Sequence, residues 1–111
     1  MQAPLVIGYD IGTTGAKTCL FRLGERIELL NRVLCEYPLQ ITRDGWAEQN
    51  PDDWWRAMAH GTAEVLRKER VVPDRIRALS FSAGMHSFVP VDKAGTVLRP
   101  AMTYMDQRGG I

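Results

Sequence analysis

Long apolar runs are missing from this chain: none approaches the roughly 18 residues that a membrane span requires. The opening "MQAPLVIGYD" has no basic leader region, and its apolar stretch is too short for a signal peptide. An excess of one charge is missing too, with 14 Lys and Arg against 13 Asp and Glu. Nucleic-acid binders show a basic surplus or stripe, so neither a membrane nor a nucleic acid is an expected partner. The one basic cluster, "RKER" at Arg67–Arg70, contains its own counter-charge and reads as a solvated helix end. Cysteine is scarce. Cys19 and Cys35 alone cannot make a zinc site, and in the hairpin described next position 19 would face position 30, so no disulfide is expected. Reduced thiols fit the cytoplasm. Repeats and low-complexity tracts are also lacking, and 111 residues allow one domain or part of one.

What is present alternates between strand and helix patterns. Leu5–Tyr9 reads as a short buried strand and Lys17–Leu23 as a second, with Cys19 and Phe21 on one face. "LGER" puts Gly24 first in a two-residue type II′ turn, and Ile27–Tyr37 returns as a third strand. Tyr37–Asn50 reads as a loop marked by Pro38 and "RDG". Asn50 then caps a helix that begins with Pro51, Asp52 and Asp53 and runs to about Arg70. Its expected buried stripe is Trp55, Met58, Ala59, Thr62, Val65 and Leu66. Burying Trp55 or Leu66 would each contribute roughly 1.5–3 kcal/mol. Ile76–Ser82 is a fourth strand, reached by a helical crossover and therefore parallel to a neighbour. A hairpin turning at Asp92–Gly95 follows, with a last short strand over Pro100–Met105. The class is α/β, with a mixed sheet that opens as an antiparallel meander of three strands.

The first turn is the chemically dense part. "GYDIGTTGAKTCLF" packs three glycines, two threonines, Asp10 and Lys17 between apolar runs. It is not a Walker phosphate loop, because Ala16 separates Gly15 from Lys17. It is not a dinucleotide loop either, because the glycines are wrongly spaced and a strand rather than a helix follows. Even so, the N–H groups of Gly12 to Gly15 could line one concavity, with the hydroxyls of Thr13 and Thr14 adding donors. Asp10, at the end of a buried strand, would need a cation or water, and a Mg²⁺ travelling with phosphates would supply it. On these residues alone, an anion site and a plain hairpin turn both remain open. "SFSAG" at Ser80–Gly84 lacks the first glycine of a nucleophile elbow and is set aside.

Four segments together resemble the FGGY carbohydrate kinases. They are "GYDIGTTGAK", "GWAEQNPDDWW" at Gly45–Trp55, "ALSFSAGMHSFVPVD" at Ala78–Asp92 and "LRPAMTYMDQR" at Leu98–Arg108. The resemblance implies a ribonuclease-H-like, actin-like ATPase fold with strand order 3-2-1-4-5. It implies that residues 1–111 are the N-terminal portion of the first kinase domain, an incomplete domain, with the second, adenine-binding domain absent.

The resemblance further implies ATP and Mg²⁺ as cofactors and transfer of the γ-phosphoryl group to a sugar or sugar-acid hydroxyl, gluconate ahead of a ketopentose such as xylulose. Asp10 would serve Mg²⁺ through water, and Gly12, Thr13, Thr14 and Lys17 would line the phosphate site. Met85, His86, Tyr104 and Asp106 would touch the sugar. Glu48 and Gln49 are read as shaping the loop, His60 as a surface residue, and the three tryptophans as packing residues. The family's catalytic aspartate lies beyond residue 111, so no catalytic base is expected here and the isolated chain is expected to be inactive. The rival reading is a non-catalytic actin-like lobe used for binding or assembly. If the chain is an interrupted domain, its uncovered sheet face would favour a homodimer.

Overall fold

A computed structural model describes residues 2–42, 45–84 and 86–109. Strands β1 (Leu5–Ile11), β2 (Gly15–Leu23) and β3 (Ile27–Glu36) form the expected meander. The long helix α1 (Pro51–Lys68) leads through a short 3₁₀ turn at Pro73–Arg75 to β5 (Ile76–Ala83). That strand pairs parallel with β1, giving the order β3-β2-β1-β5. These are the first four places of the expected order, and the described residues contain no fifth strand in this sheet.

A second, two-stranded sheet pairs β4 (Glu48–Gln49) with β6 (Ala101–Met102). The span 37–50 is therefore more than a loop, and the last strand is shorter than Pro100–Met105. A strand of two residues carries no periodicity, which hides it in the sequence. Arg43 and Asp44 of "RDG" lie outside the described residues, while Gly45 takes the left-handed φ of 81° that suits a turn. The hairpin at Asp92–Gly95 forms as read. Asp92 Oδ1 accepts from the N–H groups of Ala94 and Thr96, and Gly95 has φ 84°. No helix is long and apolar enough to cross a membrane, among the described residues.

The β2–β3 turn departs from expectation. Leu23 pairs with Ile27, so three residues, Gly24 to Arg26, make the loop. Gly24 also lacks the positive φ that a type II′ turn demands. A bulge between Leu20 and Phe21 then shifts the register, and Cys19 faces Arg32 rather than position 30. The bulge has a purpose in packing: Leu30 joins the edge of the core, and Asn31 donates to the Glu69 carboxylate at 3.0 Å. Both cysteines are free thiols.

Helix α1 starts as its sequence dictates. The Asn50 side chain accepts from the Asp52 N–H at 3.0 Å, Pro51 occupies the first turn, and Asp52 and Asp53 sit at the positive end of the dipole. The buried stripe, however, is only in part the one expected, sharing Val65 and Met58 with it. Trp55 is 71% exposed and Ala59 is exposed, while Ala57, Gly61 and Val65 are buried with Trp54 and Met58 beside them. Small side chains choose this face because they let the helix lie close on the sheet. A Cβ on Gly61 would stand 2.3 Å from Thr18 Oγ1. The core beneath is Leu5, Ile7, Tyr9, Leu20 and Val65. Thr62 Oγ1 donates to the Met58 carbonyl, which leaves the Tyr9 hydroxyl to donate to Thr62 across the helix–sheet contact.

Only one face of the sheet is covered. Ile27 is 74% exposed, and Leu23, Leu29 and Leu34 join it on the bare side. There, Val6, Phe21, Leu23, Ile27 and Ala78 line a broad apolar groove of about 540 Å³. Edge strand β5 is exposed along almost its whole length, although Phe81 stacks on Tyr9 with ring centroids 5.2 Å apart.

Candidate functional site

The β1–β2 turn stands at the C-terminal ends of the parallel strands β1 and β5, where open α/β sheets gather ligands. Its carbonyls are held from the protein side. The Tyr37 hydroxyl donates to the Gly12 carbonyl, the Tyr37 N–H donates to the Thr14 carbonyl at 3.1 Å, and Gln49 Nε2 donates to the Thr13 carbonyl. The Gly12 N–H is used up in closing the turn on the Gly15 carbonyl at 2.9 Å. The expected row of four free amides therefore loses Gly12, while the N–H groups of Thr13 and Thr14 have no assigned acceptor among the described residues. Gly15 serves packing rather than a ligand, since a Cβ there would meet the Cys35 carbonyl oxygen at 2.7 Å.

Beside the turn lies a small cavity of about 120 Å³. Gly12 and Thr13 form one wall, Gln49 and Trp54 another, and Ser87 and Tyr104 close it from beyond β5 and β6. Gln49 is nearly fully buried, and its Oε1 accepts from Trp54 Nε1 at 3.1 Å. Two residues predicted for phosphate and one predicted for sugar thus share a single cavity.

The other predicted residues lie around it. Asp10 is exposed on the sheet face that α1 leaves bare, so burial alone does not force a cation on it. It borders a shallow depression of about 300 Å³ with Ser80 and Ser82, and Lys17 is its half-buried cross-strand neighbour. Burial, and secondarily the charge of Asp10, push the Tyr37 hydroxyl up to about 12. It therefore remains a hydrogen-bond donor at any ordinary pH. Thr14 is exposed at the tip of the turn. His86 is exposed just past β5, in the left-handed region with φ 60°. Met85 lies outside the described residues.

Asp106 sits in a charge cluster. Its carboxylate accepts from the Ala47 N–H at 2.8 Å and from the Arg108 backbone and guanidinium. Arg108 also reaches the Glu48 carboxylate at 2.7 Å, which Arg99 meets from another side at 2.6 Å. The Arg108 guanidinium lies 3.8 Å from the ring centroid of Trp46. Hydrogen bonds from Arg108 hold Asp106 well below the ordinary carboxylate range, outweighing the opposite pull of burial. Arg108 and Arg99 lower Glu48 in the same way. This cluster fastens β4 to the segment after β6, and so fixes where Gln49 and Tyr104 stand.

Sequence reasoning did not single out Tyr37, and it read Gln49 only as part of a loop. Both act on backbone carbonyls far away in sequence, which no local pattern reveals. A weak signal was available in Gln49, an uncharged polar residue directly before a helix cap.

Comparison with known proteins agrees with this architecture. The gluconokinase of Bacillus subtilis (strain 168) is 36% identical over 104 residues, which are 93% of this chain and 19% of that protein. A xylulose kinase of Staphylococcus epidermidis is 32% identical over 112 residues, covering 100% of this chain and 22% of its own length. The crystal structure of gluconate kinase from Lactobacillus acidophilus superposes with a TM-score of 0.84 at 27% identity, covering 96% of this chain and 20% of that one. The chain thus spans about a fifth of the length of the relatives it matches. Its residues 5–110 match the N-terminal domain of that group, and the chain belongs to the FGGY family of carbohydrate kinases.

Proposed function

We propose that this chain is the opening portion of the first domain of an ATP-dependent sugar kinase, in which it grips the nucleotide phosphates and one side of the sugar. The observation that carries the reading is the β1–β2 turn, whose carbonyls are tied inward beside a cavity shared with Tyr104. The amides and hydroxyls of Thr13 and Thr14 would meet phosphate oxygens, with Gly12 allowing close approach and Lys17 adding charge. Phosphoryl transfer demands chiefly such positioning and charge stabilisation.

The residues present also suit Mg²⁺. No group of three or more metal-ligating side chains occurs among the described residues. An ion held by one carboxylate, waters and phosphate oxygens needs no such group. Asp10 would hold it through water, and the ion would neutralise charge on the phosphates. His86 and Tyr104, with Met85, would orient the sugar through directional hydrogen bonds and apolar packing, while Asp106, its carboxylate taken by Ala47 and Arg108, would act by holding the segment that carries Tyr104. The likeness to gluconokinase favours a sugar acid over a ketopentose.

A proton acceptor for the sugar hydroxyl is a separate requirement. Asp106 is committed to Arg108 and Ala47, and Asp10 would serve the metal. The base and the adenine-binding domain belong outside residues 1–111. Free thiols fit work in the cytoplasm, and the bare sheet face would pair copies of the isolated chain.

The test is a titration of the 111-residue chain with D-gluconate and with D-xylulose, followed by amide NMR, together with a coupled assay for ADP. Shifts at His86 and Tyr104, strongest with gluconate and without sugar-dependent ADP release, are expected. Shifts confined to residues remote from the cavity would overturn the sugar assignment. Robust ADP release would overturn the placement of the base outside the chain.

A further inference from the structure

We propose that Gln49 and Tyr37 are positioning residues that aim the amides of the β1–β2 turn at a polyphosphate. The proposal rests on the reading of that turn as a phosphate site. A trans peptide unit is planar, with its C=O and N–H pointing in opposite directions. Fixing a carbonyl toward the protein therefore fixes the next residue's N–H away from it. The Tyr37 hydroxyl fixes the Gly12 carbonyl and so turns out the Thr13 N–H. Gln49 Nε2 fixes the Thr13 carbonyl and so turns out the Thr14 N–H. The Tyr37 N–H anchors the next carbonyl, that of Thr14. Two consecutive outward amides make a small anion-binding concavity, and here its orientation is imposed by donors on β4 and at the end of β3.

Both donors are themselves held. Gln49 is nearly fully buried, and its Oε1 is taken by Trp54 Nε1, so its amide cannot flip without setting its NH₂ against the indole N–H. Tyr37 is buried, and its hydroxyl stays protonated far above neutral pH. Gln49 also belongs to the two-residue strand whose other member, Glu48, is gripped by Arg99 and Arg108. The amide that sets the phosphate turn is thus fastened to the segment bearing Tyr104 and Asp106.

Gln49→Glu keeps size and the acceptor for Trp54 but places a carboxylate oxygen against the Thr13 carbonyl. Magnesium pyrophosphate, titrated into the 111-residue chain under amide NMR, reads the outcome. In the unaltered protein the Thr13 and Thr14 amides should move first. In Gln49→Glu the affinity of the folded protein should fall about tenfold, and the Thr13 carbonyl carbon should shift before any ligand is added. A merely supporting role would lower the melting temperature and leave the affinity of the folded protein unchanged, which would overturn this inference alone. Absence of any response at Thr13 and Thr14 in the unaltered protein would overturn the phosphate reading, and this inference with it. If Gln49→Glu does not fold, Tyr37→Phe decides by the same affinity and melting readings, with the Gly12 carbonyl carbon in place of that of Thr13, since it removes only the hydroxyl that holds the Gly12 carbonyl.

Discussion

Around Thr18 the main sheet meets its helix through small and apolar side chains, whereas around Glu48 the small sheet is closed by four charged side chains. In the first region Gly61 lies against Thr18, and Leu20 and Val65 are fully buried nearby. In the second, two carboxylates and two guanidinium groups tie β4 to the chain on both sides of β6. The first arrangement has no spare volume and little reason to respond to pH. The second depends on ionisation. The candidate site takes a wall from each, the turn from the main sheet and Tyr104 from the segment that the small sheet anchors.

The largest effect should come from crowding the first region. Gly61→Ala places a methyl 2.3 Å from Thr18 Oγ1, and overpacking of this kind costs about 1–3 kcal/mol. Urea unfolding should show a lower midpoint with an unchanged slope. An unchanged midpoint would mean that the helix can back away, and the contrast between the regions would weaken.

Acid should act on the second region next. The carboxyl groups of Glu48 and Asp106 are lowered in the fold from ordinary values of 4.5 and 3.8. The stability they supply is therefore fully present above those values and is lost as pH falls below them toward the lowered ones. The amides of Phe88 and Met102, which bond to each other at the edge of the small sheet, should lose protection against exchange in that range while β1 and β2 stay protected. Glu48→Gln should bring that loosening to neutral pH. Simultaneous loosening of both sheets would abolish the distinction. The smallest effect is expected at Trp55, whose exposure limits Trp55→Ala to about 0.5 kcal/mol. A larger loss in thermal unfolding would show that the side chain packs against something in solution.

These regions also differ in how openly the sequence displays them. The apolar run Leu5–Tyr9 and the alternation in Lys17–Leu23 declared the first strands of the meander, and Asn50 with Pro51 declared the helix start. The face of that helix stayed hidden because Trp55 outweighs Ala57 and Gly61 by bulk, while close approach rewards the smaller residues. Strand β4 stayed hidden because its two residues owe their shape to a partner more than 50 positions away. Within the site, the glycines and threonines of the turn were legible as a group. The donors that orient them were not, since Tyr37 and Gln49 recognise backbone, which looks the same at every position.

The left-handed backbone at His86 has a consequence for any mutational survey of this protein. Replacement by a β-branched residue there would be penalised for its main-chain torsion before its side-chain chemistry was ever consulted. Asparagine or glycine would escape that penalty. Tolerance at this position therefore measures two quantities at once, and only substitutions that share the same torsional ease can separate them.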